Sequence, residues 1–388
     1  MGLPISRTTP HGDPRKPGPP VISGSHADRV EWVGDERRLA ALAPAWDRLS
    51  RERDQTPFTR HGWFSSWWKA FGAGRELSVC TAWRGGALVG VLPLTRLGGR
   101  LEGPHIAVPL FRLLAADDAA LGTLARAALH AAGDELIVPS LAQGDPAVGE
   151  LVRAARGRPT FTEEVHLSPI VDTEGDFAEF RRLTKPRWGY PLERLRRKMG
   201  REHDARFMLV ERPDSFQQTL QQGFEVERSG WKGRAGSAIL SSPEDELFWR
   251  TVAEVFDRSG ETRLSAITLD GRMAAFDLTL LVNCRLYLLK TGYDEERAKL
   301  RPGLVLRLSV IERCFALQLA AHELLGHAGA WKMMFATDAR RHVRVRSYAP
   351  RPLPASRYVL RRARPPLVHA YHATRSVLDR ARRVSGHA

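Results

Sequence analysis

The residues best able to do chemistry gather in the second half of the chain. At Gly223–Gly236 it reads GFEVERSGWKGRAG, which sets Glu225 and Lys232 seven residues apart, on one face of a continuous helix. Such a pair can act as base and positioning cation, or simply form a solvated ion pair. Asp277 interrupts an apolar run, Ala275-Phe276-Asp277-Leu278-Thr279. A carboxylate there is costly unless paired or open to water, and strand alternation groups it with Ala275 and Thr279 on an outward or cleft-facing side. Tyr293-Asp294 closes the next apolar run, where a phenol can supply a proton or merely anchor a strand end. Arg297-Ala298-Lys299-Leu300-Arg301-Pro302-Gly303 then leads into a helical pattern. Pro at the first helical position, the unpaired N–H groups of a first turn and three basic side chains suit an anion. Lys332 ends the segment Gly326–Lys332, GHAGAWK, and can meet a phosphate or an acceptor, or sit in solvent. His322 and His327 have no third ligand at metal spacing, so no metal is expected.

These groups need strands and helices to hold them. Apolar spacing predicts helices over Glu36–Arg53, His61–Phe71, Asp117–Ala132, Ala147–Arg156, Ser215 to about Glu225, Pro243–Ser259 and Pro302 to about Ala321. Strands are predicted at Leu77–Trp83, Ala87–Thr95, Glu135–Pro139, Thr160–Val171, Ala205–Glu211, Arg263–Leu269, Arg272–Val282 and Arg285–Thr291, with a short strand or loop over Ala328–Ala336. Gly85-Gly86, Asp270-Gly271 and Asn283-Cys284 read as hairpin turns. Trp63, Trp67 and Trp68 are expected in a core.

A chain of 388 residues exceeds one ordinary core, so two domains are expected: 29–172 and 173–340, after a leader over 1–28. Cys80, Cys284 and Cys314 are scattered, without CxxC spacing, which argues against a disulfide framework and for a reducing, cytoplasmic setting. No apolar run reaches the ~20 residues a membrane helix needs. The net charge is +15, but residues 340–388 hold thirteen arginines against one acid, Asp379. The basic character is therefore assigned mainly to a solvated tail over 341–388, which can meet nucleic acid, anionic lipid or an acidic partner.

Four segments in order carry a family resemblance: PFTRHGWFSSWWKAFG with the later Val91-Leu92-Pro93-Leu94, then GFEVERSGWKGRAG, then Thr291–Leu306 (TGYDEERAKLRPGLVL), then GHAGAWK. Together they resemble the acetyltransferase-like family found beside bacterial cellulose and exopolysaccharide biosynthesis genes, within the GNAT superfamily. The resemblance implies an α/β (α+β) fold of two GNAT-like domains, each a mixed, mostly antiparallel sheet flanked by helices, as in Fem-type peptidyltransferases. It implies transfer from acetyl-CoA or another acyl-CoA to an amine or hydroxyl of a small-molecule or saccharide acceptor. On that reading Glu225, Asp277 and Tyr293 are catalytic. Arg297, Lys299, Arg301 and Gly303 bind the CoA phosphates in place of the usual multi-glycine loop. Trp231, Lys232, Asp294 and Lys332 hold substrate. Two alternatives accompany it: a Fem-type transferase using aminoacyl-tRNA, met by the basic stretch Arg187–Arg206, and a degenerate GNAT module that binds through its tail.

Overall fold

The computed structural model describes residues 29–53, 56–104, 109–184 and 189–361, together with Ala27. The rest of the expected leader, residues 362–388 of the expected tail, and Arg187 of the basic stretch lie outside the described residues. The first half runs β1 (Arg29–Val33), α1 (Glu36–Ala41), α2 (Ala43–Arg53), α3 (His61–Phe71), β2 (Glu76–Arg84), β3 (Ala87–Leu97), β4 (Arg100–Glu102), β5 (Leu114–Ala115), α4 (Asp118–Ala131), β6 (Glu135–Ala142), α5 (Pro146–Ala154) and β7 (Thr160–Asp172). The second runs α6 (Phe177–Thr184), α7 (Tyr190–Glu202), β8 (Ala205–Glu211), α8 (Phe216–Ser229), α9 (Trp231–Arg234), α10 (Pro243–Arg258), β9 (Thr262–Leu269), β10 (Arg272–Val282), β11 (Arg285–Tyr293), α11 (Pro302–Ala316), β12 (Ala321–Glu323), α12 (Ala330–Met333) and β13 (Asp338–Tyr348).

Local chemistry explains many of these boundaries. Asp117 and Ser242 cap α4 and α10 by accepting from Ala120 N and Asp245 N, and Pro146 and Pro243 open α5 and α10. The turns at Gly85-Gly86, Asp270-Gly271 and Asn283-Cys284 have positive φ at both residues, the backbone a tight hairpin between right-twisted strands requires. Where a short strand or loop was expected over Ala328–Ala336, the chain forms the single turn α12, and α11 stops at Ala316.

All strands join one thirteen-stranded sheet ordered β1-β2-β3-β4-β6-β13-β7-β12-β11-β10-β9-β8, with β5 beside β3. Every pairing is antiparallel except β4–β6 and β11–β12. The mixed, mostly antiparallel sheet flanked by helices is the architecture expected. β13 departs from expectation: residues 341–348 are no tail, because this strand lies between β6 and β7 in the first half's sheet. Its arginines are counter-charges there. Arg340 pairs with Glu323, Arg344 with Glu163, and Arg346 with both Glu135 and Glu163. A count of arginines registers charge but not the acids brought alongside, two of which, Glu135 and Glu163, stand more than 150 residues earlier.

The two halves touch through the narrow strand β12. Only Arg285, Leu286 and Tyr287 of β11 pair with it. From Leu288 to Tyr293, β11 has no strand on that side among the described residues, so the sheet opens. A register shift opposite Leu278 and Thr279 makes Leu289 an extra residue, a bulge that re-aims the side chains around it.

One apolar core runs under both halves. Trp63 of α3 is buried and meets Phe248, Trp249 and Phe256 of α10 edge-on, with ring centroids 5.6, 6.3 and 6.2 Å away. Arg60 and Glu261 bridge the halves beside it at 2.6 Å. A second core lies under α11, where Val305, Leu306 and Ile311 meet Ile267, Ala275 and Leu286. Replacing Trp63 by Ala empties the junction between α3 and α10. It is expected to lower the unfolding free energy by about 3–5 kcal/mol, read by chemical denaturation; an unchanged midpoint would show that the halves do not depend on this contact.

Candidate functional site

Two cavities lie at the opening. The larger, about 730 Å³, is bounded on one side by Leu288–Thr291 of β11 and on the other by Pro139, Ser140, Val165 and His166, with Leu324–His327, Trp331 and Lys332 along its rim. The smaller, about 370 Å³, lies between α9, the end of β11 and the start of α11, and is lined by Tyr293, Arg301, Gly303 and Leu304. Trp231, Lys232, Thr291 and Trp331 belong to both, so these four residues form a common neck. The larger volume is in the range of small-molecule sites.

The smaller cavity is built around a helix start. Asp294 accepts from Glu296 N at 3.0 Å and begins a 3₁₀ turn over Glu295–Leu300. The chain then reverses at Arg301, held in the left-handed region (φ 49°, ψ 49°), and Pro302 opens α11. The Arg301 carbonyl accepts from Leu304 N and Val305 N at 3.0 and 3.1 Å. The positive end of the α11 dipole and the Arg301 side chain are thus presented at the cavity, an environment that favours an anion. A Cβ on Gly303 would sit 3.4 Å from Tyr293, so a side chain there would narrow the space.

The neck depends on a broken helix. α8 ends at Ser229, Gly230 takes an extended conformation, and α9 restarts at Trp231. The turn closes so tightly that a Cβ on Gly233 would fall 1.8 Å from the Arg228 carbonyl oxygen. This break removes Lys232 from the face that carries Glu225. Glu225 is exposed, accepts from Gln221 and lines neither cavity. The partner of Lys232 is Glu227: Nζ donates to Oε1 at 2.7 Å and to the Thr291 carbonyl at 2.6 Å, while Ile239 N donates to Oε2 at 2.9 Å.

Beneath the neck lies a fully buried charge relay. Asp277 shares a face with Ala275 and Thr279 as alternation predicts, but α11 covers that face, so the outward or cleft-facing placement is wrong. Arg307 of α11 donates to Asp277 Oδ1 at 2.8 Å and to His322 Nε2 at 2.6 Å. His322 must therefore carry its proton on Nδ1, which donates to the Leu286 carbonyl at 2.9 Å. Burial and the adjacent Arg307 drop the His322 pKa to about 3, fixing the ring neutral, whereas burial pushes the Asp277 carboxyl up against the opposing pull of Arg307. The Arg307 guanidinium carbon lies 5.7 Å from the Trp331 ring centroid, with Lys332 Nζ 5.5 Å from the same ring.

The larger cavity is basic. Lys232, Lys290, Lys332, Arg344, His166 and His327 line it, and no Asp or Glu does. Burial and the nearby Arg307 and Lys232 lower the Lys332 pKa to about 8, and its Nζ donates to the Leu325 carbonyl. His166 stacks on His342 at 4.4 Å and lies 5.2 Å from His327; burial and these neighbours bring it to about 4. Among the described residues no group of three or more His, Cys, Asp or Glu is placed to hold a metal. No described helix is long and apolar enough to cross a membrane.

Residues 190–333 match the family model of the acetyltransferase (GNAT) domain. That span holds both walls of the smaller cavity and the whole relay. No curated protein sequence matches the chain. Among solved structures, FemX superposes with a TM-score of 0.58 at 11% identity, over 85% of this chain and 99% of its own. The C-terminal domain of a putative lysylphosphatidylglycerol synthetase from Agrobacterium fabrum gives 0.54 at 9%, over 83% and 94%. L-PGS from Bacillus licheniformis gives 0.51 at 10%, over 86% and 98%. At such identities these likenesses speak for the fold, and they extend over both halves of the chain.

Of the residues singled out from sequence, Trp231, Lys232, Tyr293, Arg301 and Gly303 meet at the smaller cavity and Lys332 at the larger. Asp294 is spent on its cap, and Arg297 turns to Asp294 and Asp270 at 3.5 and 3.7 Å. Lys299 is exposed and lines neither cavity. Sequence reasoning passed over Glu227, Lys290, Thr291, Arg307 and His166. Glu227 sits in the same GFEVERSGWKG segment, and Arg307 is a lone charge in the apolar first turns of α11, so both left a signal. His166 left none. Replacing Arg307 by Met strands the buried Asp277 carboxylate and is expected to cost about 3–5 kcal/mol in urea denaturation. The double change with Asp277→Leu should recover most of that loss; if it recovers none, the pair is not the coupled unit described.

Proposed function

We propose that the chain is an N- or O-acyltransferase that takes an acyl group from acyl-CoA in the smaller cavity and passes it through the neck to an acceptor in the larger one. The observation that carries this reading is the meeting of two cavities at Trp231, Lys232, Thr291 and Trp331, one of them at the start of α11 within the GNAT-matched span. The division near residue 172 goes with it: the second unit supplies the donor cavity, and the acceptor cavity draws walls from both. A saccharide or small metabolite bearing an amine or hydroxyl is the acceptor class, and an exopolysaccharide precursor is one such molecule.

The chain's own residues supply the steps. Arg301 and the first turn of α11 receive the CoA phosphates. The acceptor nitrogen or oxygen bonds to the acyl carbon, the carbon–sulfur bond breaks, and the acceptor's proton passes to the neutral amine of Lys332. With a pKa of about 8, Lys332 is close to the value a general base needs near neutral pH. The departing thiolate takes a proton from Tyr293, which is 37% exposed on the wall of the smaller cavity. Lys232, fixed by Glu227 and Thr291, keeps the neck in shape.

The fold likeness to FemX gives a second donor, aminoacyl-tRNA, some standing. Yet α7 spends part of its charge internally, through Arg196–Glu312 and Lys198–Glu202. Calorimetry separates the two. Acetyl-CoA is expected to bind the full chain, and Arg301→Ala to weaken it about tenfold, or ~1.4 kcal/mol. No heat with acetyl-CoA up to about 1 mM, together with salt-dependent tRNA binding, would replace acyl-CoA by the second donor. Lys332→Met is expected to lower kcat about 100-fold or more while sparing acetyl-CoA affinity. Because the base works unprotonated, wild-type kcat should rise with pH and level off above about 8. A profile flat through that range would remove Lys332 from this role.

A further inference from the structure

Among the described residues, six basic or imidazole side chains line the larger cavity and no carboxylate does. Two of the four strong cations are already answered: Lys232 by Glu227 at 2.7 Å and Arg344 by Glu163 at 2.9 Å. Lys332 has a carbonyl partner and no carboxylate. Lys290 has neither. Its ammonium lies 4.9 Å from the centroid of the Trp249 ring, its one side-chain partner among the described residues. The nearest acids acting on it are Glu227, already bound to Lys232, and Asp245, whose carboxyl burial pushes up. Burial lowers the Lys290 pKa, as expected for a cation shielded from water without a hydrogen-bonded anion. Lys290 stands next to the bulge at Leu289 and directly before Thr291 of the neck, so a group bound there lies close to the acyl-transfer point.

We propose that the larger cavity selects an acceptor carrying an anion, a carboxylate or a phosphate ester, which Lys290 receives as its missing counter-ion. This deepens the acyltransferase reading and rests on it for the word acceptor, but the anion site itself does not depend on the donor. The attraction is of the charge-assisted kind, stronger for being partly shielded from water. Trp249 supplies an apolar face beside the charge, and the cavity volume of about 730 Å³ leaves room for a sugar-sized body.

The test needs no acyl donor. Binding to the full chain is measured by calorimetry for matched pairs of probes: glucosamine 6-phosphate against glucosamine, and glucuronic acid against glucose. At least one anionic member is expected to bind about tenfold or more tightly than its neutral partner. The pair that shows the preference tells phosphate from carboxylate. Lys290→Met, which keeps the aliphatic stem, should erase the preference, and Arg301→Ala in the smaller cavity should leave it. Acetyl-CoA titrated into Lys290→Met should bind as to wild type, showing that the fold and the donor cavity are intact. Equal binding of charged and neutral members up to about 10 mM overturns the proposal. So does a preference that survives Lys290→Met and is lost with Arg301→Ala, which would place the anion at the start of α11. Should acetyl-CoA fail to bind wild type while the preference holds, the acyltransferase reading falls and the anion site stands.

Discussion

The site exists because the sheet is joined at its middle by too little strand. β12 offers three residues to β11, and from Leu288 onward the backbone edge of β11 turns to open space. A sheet edge with unpaired N–H and C=O groups is normally covered or shortened. Here it is walled by side chains from both halves, and the bulge at Leu289 lets consecutive residues Leu288 to Thr291 all reach the cavity wall. The opening must be held from outside. α3 and α10 cross it on one face through the Trp63 cluster, and β13 returns from the end of the second half to lie between β6 and β7 of the first. The halves are thus tied by a shared core and a shared strand, while the line between them stays partly open.

Much of this was legible in the sequence, for identifiable reasons. Period-two and helical apolar spacing, capping residues and positive-φ turn pairs are local signals, and they located β9, β10, β11, α10 and three hairpins closely. One wall of the smaller cavity, with Tyr293, Arg301 and Gly303, comes from a single stretch of sequence, and its residues could be singled out together. What failed was non-local. Arg340, Arg344 and Arg346 look like the start of a basic tail until Glu323, Glu163 and Glu135 are brought beside them. Asp277 looks cleft-facing until α11 lays Arg307 over it. Glu225 and Lys232 look paired until Gly230 breaks the helix and Glu227 takes the lysine. In each case the residue type was noticed and the partner was not, because the partner is chosen by packing.

Charge is arranged in depth around the opening. At the bottom, Asp277, Arg307 and the neutral His322 are hydrogen-bonded to one another out of contact with water, with Asp277 Oδ2 and Arg307 Nε left without a hydrogen-bond partner among the described residues, and an isolated member of that set would be costly. At the neck, Glu227 and Lys232 are half shielded and still paired. At the cavity wall Arg344 is still paired with Glu163, but Lys290 and Lys332 have no acid in reach of a hydrogen bond among the described residues. Each charge in the two deeper layers has an opposite charge beside it, and stability alone gives no reason to leave the third layer unpaired. Unpaired, partly shielded cations are instead what a site needs if binding is to supply the missing partner, since the free state bears part of the desolvation cost and the bound state recovers it.

That gradient also separates the two lysines by task. Burial lowers the Lys332 pKa, and Arg307, behind Trp331, adds to this together with Lys232, so the buried set beneath the neck makes this amine easier to deprotonate. Burial is the main cause at Lys290 as well, but there Glu227 and Asp245 pull the other way against Lys232. On the proposed reading an anion at Lys290 would add to the acids already acting on it, while Lys332, lowered by burial and then by Arg307 and Lys232, stays available to take a proton. On the proposed reading the same basic wall would hold an acceptor through one lysine and take its proton through the other, because acids act on Lys290 and only cations on Lys332.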